Sequence, residues 1–408
     1  MRTFPTLLLA CVLAAATPAA TGTAGDPDRP AARDDRDPRG QQTSDGVRGE
    51  IAAPLPEWMR KPVRREVRNK WQVSPGVKAA IWDERDARGP VRYYLLTADL
   101  RRDGLQVDYA NDGAVRRTAP LGQMLARSKQ AVAGVNGDFF DIGDTGAPLG
   151  VGRDRQRGPL NGPRAGWNNA FFYDRHGHPQ IDVLPMMPAV REHPKLVITN
   201  VNSPSVRPGG IGAYNRQWGL SSGYRITDGQ SRDVRMVLIR EGKVVQTSRR
   251  LPSQTPINGV MLVGRGAGAK ALAKFRVGQA AHVRWRLEGT PRMAITGNKF
   301  LVQDGVIKVV DDREMHPRTA IGIDRDSKTL LFLVVDGRQR FSRGYTMVEL
   351  AEKMIELGAD EALNLDGGGS STMMAKGRGG LLKVINSPSD GSQRSIANGI
   401  EINYRKPR

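Results

Sequence analysis

The feature that most constrains the fold of this chain is a nearly unbroken apolar run at residues 329–335, Thr-Leu-Leu-Phe-Leu-Val-Val. A strand buried on both faces has this composition. Thr346 and Glu349 form the sequence pattern of a capping box, so a helix is predicted to begin there. Gly358 suits the position after the end of that helix, and a second strand is predicted at residues 361–365. The succession predicts a β-α-β unit with parallel strands and a right-handed crossover.

Polar residues follow both of these strands directly. Asp336 comes after the first strand and Asp366 after the second. Because the carboxyl ends of parallel strands share one edge of a sheet, and ligands gather at that edge, the two carboxylates predict a site there.

The rest of the chain predicts mostly short strands with a few helices. Strands are expected near residues 91–100, 131–135, 196–201, 234–240, 243–247, 258–263 and 280–287, and helices near 119–129 and 270–275. The predicted fold class is therefore α+β (mixed α/β). It has a mixed β-sheet core with helices, a C-terminal β-α-β unit and a β-rich middle segment over residues 190–290.

The start of the chain predicts export. Residues 1–24 combine Arg2, an apolar stretch at 7–16 and small residues, as a secretory signal does. The stretch is too short to span a membrane, and no later segment is apolar enough to do so. We therefore expect a secreted, extracellular protein, with lipoprotein anchoring at Cys11 as a minor alternative. Cys11 is the single cysteine, which excludes an intramolecular disulfide framework.

Residues 25–72 are predicted to form a disordered tail, followed by one domain at 73–408. Large apolar residues are almost absent from 25–56, so this stretch cannot offset its ordering entropy. Residues 58–70 carry six basic residues and one acid. They could attach the protein to an anionic cell-wall polymer or form a solvated lead-in to the domain, and we favour the lead-in.

The strongest local motif is Asp-Gly-Gly-Gly-Ser-Ser-Thr at residues 366–372. Consecutive glycines let backbone N–H groups converge on an anion, and the hydroxyls of Ser370, Ser371 and Thr372 add donors. A P-loop is excluded because its Gly-Lys-Ser/Thr end is missing. The alternative is a flexible turn, but the position directly after a buried strand favours a ligand-binding loop.

Three further segments offer ligand-binding groups. Asn136-Gly-Asp138-Phe-Phe combines an amide, a carboxylate and two aromatic rings at a strand end. Arg318 begins a strand, and Arg394 follows the turn at 386–390. The planar guanidinium of either arginine could donate two parallel hydrogen bonds to a phosphodiester. The sequence lacks a His-Glu-x-x-His pattern, a Gly-x-Ser-x-Gly elbow and a Rossmann fingerprint.

Taken in order, these segments resemble the phosphodiester glycosidase family. The motifs that carry the resemblance are Asn136-Gly-Asp-Phe-Phe140, Ala147-Pro-Leu-Gly150, Arg318-Thr-Ala-Ile-Gly322, Asp336-Gly-Arg338, Asn364 to Thr372, and Asn386-Ser-Pro-Ser-Asp390. The similarity extends over roughly residues 75–405, whereas residues 1–70 have no counterpart. It implies cleavage between the anomeric carbon of a sugar and a phosphodiester oxygen.

The resemblance implies a set of site residues at matching positions. Asp366, Asp138 and Arg318 are the expected catalytic residues. Substrate binding is expected from Asn136, Gly367, Gly368, Gly369, Ser370, Ser371, Thr372, Asp336, Arg338, Asn386, Ser389, Asp390 and Arg394. Arg318, the amides of 367–369 and Ser370 would hold the phosphate. Asp366 would stabilise the anomeric centre or activate water, Asp138 would be the second carboxylate, and Asp336 and Asp390 are reserve candidates.

The expected function is thus an exported glycosidase that converts a GlcNAc-type sugar-1-phosphodiester to free sugar and phosphomonoester in cell-wall or exopolysaccharide metabolism. The alternatives are a non-catalytic binder of anionic wall polysaccharide and a phosphodiesterase that cuts the P–O bond. No cofactor is expected to be required, although carboxylates at strand ends could hold Ca²⁺ or Mg²⁺. A net charge of +20 raises the question of nucleic acid, but the predicted export and the lack of a nucleic-acid module argue against it.

Overall fold

A computed structural model describes residues 44–407 of the chain. The predicted signal segment at 1–24, Cys11, and the part of the predicted tail up to residue 43 lie outside the described residues. Within residues 44–407, no helix has both the length and the apolar character needed to cross a membrane.

The described part is dominated by strands. The α-helices are α1 (Leu121–Leu125), α2 (Ala267–Leu272) and α3 (Met347–Glu356), and 3₁₀ turns lie at Glu57–Met59, Gly223–Thr227 and Gly368–Ser370. The strands, in chain order, are β1 Glu50–Ile51, β2 Arg64–Ser74, β3 Val77–Asp86, β4 Gly89–Asp99, β5 Leu105–Ala110, β6 Ala131–Asn136, β7 Gly152–Asp154, β8 Gly158–Pro163, β9 Asn169–Tyr173, β10 Pro179–Val183, β11 Met186–Val190, β12 Asn200–Val201, β13 Ile211–Asn215, β14 Leu220–Ser222, β15 Val234–Arg240, β16 Lys243–Ser248, β17 Ser253–Pro256, β18 Val260–Arg265, β19 Val283–Leu287, β20 Met293–Thr296, β21 Lys299–Gln303, β22 Val306–Ile307, β23 Glu314–Met315, β24 Arg318–Asp324, β25 Thr329–Val335, β26 Glu361–Leu365, β27 Met373–Lys376, β28 Leu382–Val384 and β29 Gly399–Tyr404.

The fold is mixed, as predicted, but it contains far more strand than an α+β protein. Only α3 is longer than six residues. The helix predicted at 119–129 is reduced to α1, and the one predicted at 270–275 lies three residues earlier as α2. Strands such as β8, with the sequence Gly-Pro-Leu-Asn-Gly-Pro, carry no period-two pattern, which explains why the sequence underestimates the sheet content.

The C-terminal unit forms as predicted, with one difference in topology. Strands β25 and β26 both pair antiparallel with β24, which lies between them, so they run parallel without being neighbours. Asp336 and Asp366 therefore emerge at one edge of the sheet. Because β24 runs in the opposite direction, its first residue, Arg318, lies at that same edge.

Strand β25 is buried on both faces, which confirms the interpretation of its apolar run. Leu330, Phe332 and Val334 enter one hydrophobic cluster, whereas the alternate residues Leu331, Leu333 and Val335 enter a second. Helix α3 covers the second face with Met347, Leu350, Ala351 and Met354. The rigid edge that carries Asp336 and Asp366 is thus fixed by packing from both sides.

Local signals set the bounds of α3. Glu349 N donates to Thr346 Oγ1 at 3.2 Å and Thr346 N donates to Glu349 Oε2 at 2.9 Å, which completes the predicted capping box. Gly358 has φ +100° after the helix. The amides of Gly358 and Ala359 donate to the carbonyls of Ile355 and Met354, the pattern of a Schellman motif.

The predicted tail extends too far into the domain. Strand β2 begins at Arg64 and pairs along β3, so residues 64–72 belong to the sheet. The charge-rich composition of β2 suggests disorder, but its charged side chains interact with side chains of β3 across the sheet. Arg65 Nε lies 2.6 Å from Glu84 Oε1, and Lys70 Nζ lies 4.3 Å from the centre of the Trp82 ring.

Three sheets provide the framework. An eight-stranded antiparallel sheet has the order β2-β3-β4-β25-β24-β26-β21-β22, and a five-stranded sheet has the order β28-β27-β6-β29-β5. A ten-stranded sheet, β10-β9-β20-β7-β8-β12-β13-β18-β15-β16, forms the β-rich middle. The motif residues lie where β6 of the second sheet meets the edge of the first sheet, near Asp366.

Candidate functional site

The loop after β26 brings backbone amides close to other groups of the site. Asp366 is buried, with 1% of its surface exposed. Gly368 adopts φ +57°, a conformation that favours glycine. A Cβ atom on Gly369 would collide with the guanidinium of Arg394 and the carboxylate of Asp390, so the ends of these two side chains would have to move.

Asn136 at the end of β6 fixes this loop to the sheet. Its Nδ2 donates to the Asp366 carbonyl at 2.6 Å. Its Oδ1 accepts from Thr319 Oγ1 at 2.8 Å and from the Thr372 amide at 3.0 Å. The amide of Asn136, expected to bind substrate, is thus engaged with three protein segments, and its contacts are those of a residue that positions the loop.

Two buried carboxylates belong to the site. Asp138 Oδ2 accepts from the Gly150 amide at 2.8 Å, and its backbone amide donates to Asn398 Oδ1 at 2.7 Å. Burial raises the pKa of Asp138 well above its ordinary value, and the nearby Asp366 carboxylate adds to the rise. Burial likewise raises the pKa of Asp366 to about 7, while interactions with Ser370 and Ser44 limit the rise.

Three arginines converge on the same region. Arg318 is 1% exposed, and it donates from Nε to the Tyr345 carbonyl at 2.9 Å and from Nη2 to the Glu314 carbonyl at 3.1 Å. Within residues 44–407 it forms no salt bridge, and burial lowers its pKa to about 9. Arg338 has φ +60°, and Arg394 Nε donates to Asp390 Oδ2 at 2.8 Å. A buried guanidinium without a carboxylate partner is the kind of group that an anionic ligand would neutralise.

The N-terminal segment inserts a carboxylate among these cations. Asp45 Oδ2 accepts hydrogen bonds from Arg338 Nη1 at 3.0 Å, Arg394 Nη2 at 3.2 Å and the Gly369 amide at 3.2 Å. The neighbouring Ser44 amide donates to Asp366 Oδ1 at 3.2 Å. Strand β1 holds the segment by pairing with β23. The two arginines and the glycine-loop amide therefore already bind an anionic group.

Several buried polar atoms of the site have no hydrogen bond of ordinary geometry. The Asp366 carboxylate and the Ser370 side chain interact with each other, although their contact lies outside the geometry of an ordinary hydrogen bond. Site atoms that lack a hydrogen-bond partner in the described structure include Asp138 Oδ1, Arg318 Nη1, Arg338 Nε, Ser371 Oγ, Ser389 Oγ and Arg394 Nη1. Buried polar groups are normally paired, so a set of unpaired ones drawn from the predicted motifs points to a ligand.

Other predicted residues hold the structure together. Asp336 Oδ2 accepts from Tyr94 Oη at 2.8 Å, and its Oδ1 accepts from Asn386 Nδ2 and the Ser387 amide, each at 3.1 Å. Burial raises the pKa of Asp336 to about 6. Asn386 also donates to the Ser371 carbonyl at 3.0 Å, so this pair connects the 386–390 turn to the serine loop.

Sequence reasoning missed four residues of the site. Ser44 and Asp45 lie in the part of the chain predicted to be disordered, so their composition pointed away from the site. His316 Nδ1 lies 3.3 Å from Arg338 Nη2, and Asn398 holds the Asp138 amide. His316 lies two residues before Arg318, and this position is a sequence signal for the site, whereas no pattern in the sequence singles out Asn398.

Among residues 44–407, no group of three or more His, Cys, Asp or Glu side chains is arranged to hold a metal ion. A cavity of about 970 Å³ lies away from these residues and is lined by Leu100, Val107 and Arg325, among others. At the site itself, the Ser44–Asp45 segment contacts Asp366, Arg338, Arg394 and the Gly369 amide.

Comparison with known proteins confirms the predicted resemblance. Residues 233–403 match the sequence profile of the phosphodiester glycosidase family. Over this part, the chain is therefore similar to phosphodiester glycosidases, a class of hydrolase. The match includes Arg318, Arg338, Asp366 to Thr372 and Arg394, while Asn136 and Asp138 lie before its start.

Curated proteins that are similar to this chain include one from Bacillus subtilis and one from Mus musculus. The SPbeta prophage-derived uncharacterized protein YomE of Bacillus subtilis (strain 168) is 39% identical over 89 residues, 22% of this chain and 13% of that protein. The N-acetylglucosamine-1-phosphodiester alpha-N-acetylglucosaminidase of Mus musculus is 32% identical over 120 residues, 27% of this chain and 22% of the mouse protein. This chain thus spans less than a quarter of either curated relative.

The fold is also similar to the crystal structure of a hypothetical protein from Synechocystis. The TM-score is 0.69 at 21% sequence identity, and the similarity covers 83% of this chain and 64% of that one. At this level of identity the similarity establishes the fold.

Proposed function

We propose that this protein is an exported glycosidase that hydrolyses a sugar-1-phosphodiester of the GlcNAc type to free sugar and a phosphomonoester. The observation that carries the proposal is the position of Asp45. Its carboxylate stands in for phosphate oxygens, because it is bound by Arg338, Arg394 and the Gly369 amide, three groups suited to a phosphodiester.

Arg318 would add the remaining positive charge. Its Nη1 lacks a partner, and the whole side chain is buried without a counter-ion in the described part of the chain. Fixed cations and amides in a site that excludes water stabilise charge that develops on the leaving phosphate. A phosphomonoester is already a fair leaving group, so this stabilisation would reduce the need for protonation by a general acid.

The two carboxylates would act on the sugar. Asp366 has a pKa of about 7, so it would be substantially ionised near neutral pH. As an anion it would stabilise an oxocarbenium-like centre or accept a proton from the attacking water. Asp138 would be the second carboxylate, and burial raises its pKa well above the ordinary value.

The sequence supports the proposed location and class of substrate. Residues 1–24 have the pattern of a secretory signal, and a net charge of +20 suits an enzyme that meets anionic glycans. We therefore place the substrate in the cell wall or in exopolysaccharide, with a phosphodiester-linked sugar as the cleaved unit.

Product analysis tests the proposal. The purified chain is incubated with methyl α-GlcNAc-1-phosphate diester, and the products are separated by anion-exchange chromatography. Free GlcNAc and methyl phosphate, formed by the wild type and lost in Asp366→Asn, are the expected result. GlcNAc-1-phosphate as the product would show a phosphodiesterase that cuts the P–O bond. Retention of the diester without turnover would show a binding protein.

A further inference from the structure

A second polar region lies at the far end of the same sheets. The cavity of about 970 Å³ is lined by Ile323 and Asp324 at the end of β24, Glu361 at the start of β26, and Arg405 after β29. Arg318 is at the opposite end of the seven-residue strand β24. At about 3.3 Å per residue, the cavity is therefore ~20 Å from the proposed catalytic edge. It cannot be part of the site described above.

The cavity is strongly basic. Its lining includes two carboxylates, Asp324 and Glu361, and six cations, which are Arg101, Arg155, Arg292, Arg325, Lys328 and Arg405. Arg101 and Arg325 are paired with Asp99 and Asp304. Arg292, Lys328 and Arg405 are exposed, and they have no carboxylate within salt-bridge distance among residues 44–407. An anionic ligand would supply the missing partners.

The cavity continues into two neighbours, so the region is an extended groove. A cavity of about 730 Å³ shares Gln106, Gln130 and Arg155 with it. Another of about 450 Å³ shares Gln180, Ile181, Arg325 and Glu361. A groove formed by adjoining cavities can accommodate several units of a polymer.

The groove's side chains favour a glycan over a nucleic acid. Gln106, Gln130 and Gln180 present amides that can donate to and accept from sugar hydroxyls. The lining Tyr173 is only 7% exposed, and the Arg155 guanidinium lies 5.2 Å from its ring centre. Single-stranded nucleic acids need open aromatic faces for base stacking, and this ring does not provide one.

We infer that this groove binds an anionic polysaccharide and holds the protein on the polymer. The link to catalysis rests on the proposed function, whereas binding itself does not. The inference also places the wall-polymer contact away from residues 58–70, for which the sequence favoured a lead-in over attachment, because Arg65 and Arg68 of that segment are paired with Glu84 and Asp83.

A charge-reversal triple variant, Arg292→Glu, Lys328→Glu and Arg405→Glu, tests the inference. The matched control reverses three exposed cations outside the groove, Lys195→Glu, Arg249→Glu and Lys274→Glu, and so changes the net charge equally. Binding of the full chain to immobilised dextran sulfate is measured, with neutral dextran and a single-stranded oligonucleotide as reference probes.

We expect the groove variant to lose about tenfold or more in affinity for dextran sulfate, while the control changes much less. Hydrolysis of methyl α-GlcNAc-1-phosphate diester should be equal in both. An equal loss of affinity in the two variants, or no loss in the groove variant, would overturn the inference. Tighter binding of the oligonucleotide than of dextran sulfate would instead assign the groove to nucleic acid. Failure of the wild type to hydrolyse the diester would refute the proposed function and leave the binding result standing.

Discussion

Asp45 Oδ2 and Arg338 Nη1 form a 3.0 Å ion pair that joins the N-terminal segment to the loop after β25. The Asp45 side chain is 6% exposed and that of Arg338 is 19% exposed. Arg338 adopts φ +60°, a strained backbone conformation for a residue with a side chain. The pair therefore links Arg338, whose backbone is strained, to a position that binds an anion. Backbone strain of this kind is expected where a ligand binds.

Replacement of Asp45 should open this position to a phosphodiester. In Asp45→Ala we expect the KM for methyl α-GlcNAc-1-phosphate diester to fall about fivefold or more, with kcat unchanged, because the competing carboxylate is gone. Steady-state kinetics measure both constants. Asp326→Ala, an exposed acid at the other end of β24, should leave both unchanged. A loss of kcat in Asp45→Ala would contradict this prediction and would show that Asp45 takes part in the reaction.

Arg318 should be required for turnover. Arg318→Met is expected to lower kcat/KM by about a hundredfold or more, because a fixed donor to the leaving phosphate is removed. Its melting temperature should fall little, since loss of hydrogen bonds to two carbonyls is offset by removal of an unpaired buried cation.

Arg343→Met provides the contrast. Arg343 is buried too, but it is paired with Glu349 through contacts of 2.9 Å. Loss of this partner should destabilise the fold by about 3 kcal/mol or more, as judged by chemical denaturation. If Arg318→Met were instead as unstable as Arg343→Met, a structural role for Arg318 would explain its loss of activity.

Gly369 should tolerate no side chain. Its Cβ would meet the guanidinium of Arg394 and the carboxylate of Asp390, so Gly369→Ala would disturb the arrangement of Arg394 and the loop amide at the phosphate position. We expect kcat/KM to fall between about tenfold and a hundredfold. Gly379→Ala, at a glycine with open space around it, should behave as wild type. Equal activity in the two alanine variants would remove the loop amide from substrate binding.

The pH dependence of activity should report Asp366. If its ionised form is needed, kcat/KM falls as the pH drops below its pKa of about 7. A profile of kcat/KM over pH 5 to 9 should show this acidic limb in the wild type. The residual activity of Asp366→Asn, at a much lower rate, should not show it. A wild-type profile that stays flat through pH 7 would exclude Asp366 as the titrating group.

The same carboxyl should also affect stability. The folded-state pKa is raised above the unfolded value, so the folded protein loses stability as the pH rises from about 4 to 7, by at most about 4 kcal/mol. Asp366→Asn should therefore melt at a higher temperature than wild type at pH 8, with a smaller difference at pH 4. Asp336→Asn should instead lower the melting temperature, because the Asp336 carboxylate accepts hydrogen bonds from Tyr94, Asn386 and the Ser387 amide. Equal melting temperatures for Asp366→Asn and wild type at pH 8 would contradict the expected burial cost.

The sequence predicts those parts of the fold whose signals are local. The run at Thr329–Val335 and the Thr346–Glu349 box determine β25 and α3 directly, and they place Asp336 and Asp366 at one edge. The insertion of β24 between the two parallel strands depends on long-range pairing, which no local pattern encodes.

The residues of the site divide in the same way into those with a local sequence signal and those that depend on long-range contacts. Asp366 and the glycines are visible because three glycines after a buried strand are chemically unusual. Asp45 is not visible, because its role depends on a long-range contact with Arg338 on the far side of the sequence. Strand β2 is hidden for a related reason: its charges are neutralised by β3, and composition alone cannot show this.

The central claim, cleavage of the bond between the anomeric carbon and the phosphate oxygen, is tested most directly by isotope labelling. The wild-type protein hydrolyses methyl α-GlcNAc-1-phosphate diester in ¹⁸O water, and mass spectrometry locates the label. Label in the free GlcNAc, with none in methyl phosphate, is the predicted result. Label in the phosphate, or GlcNAc-1-phosphate as the product, would contradict it.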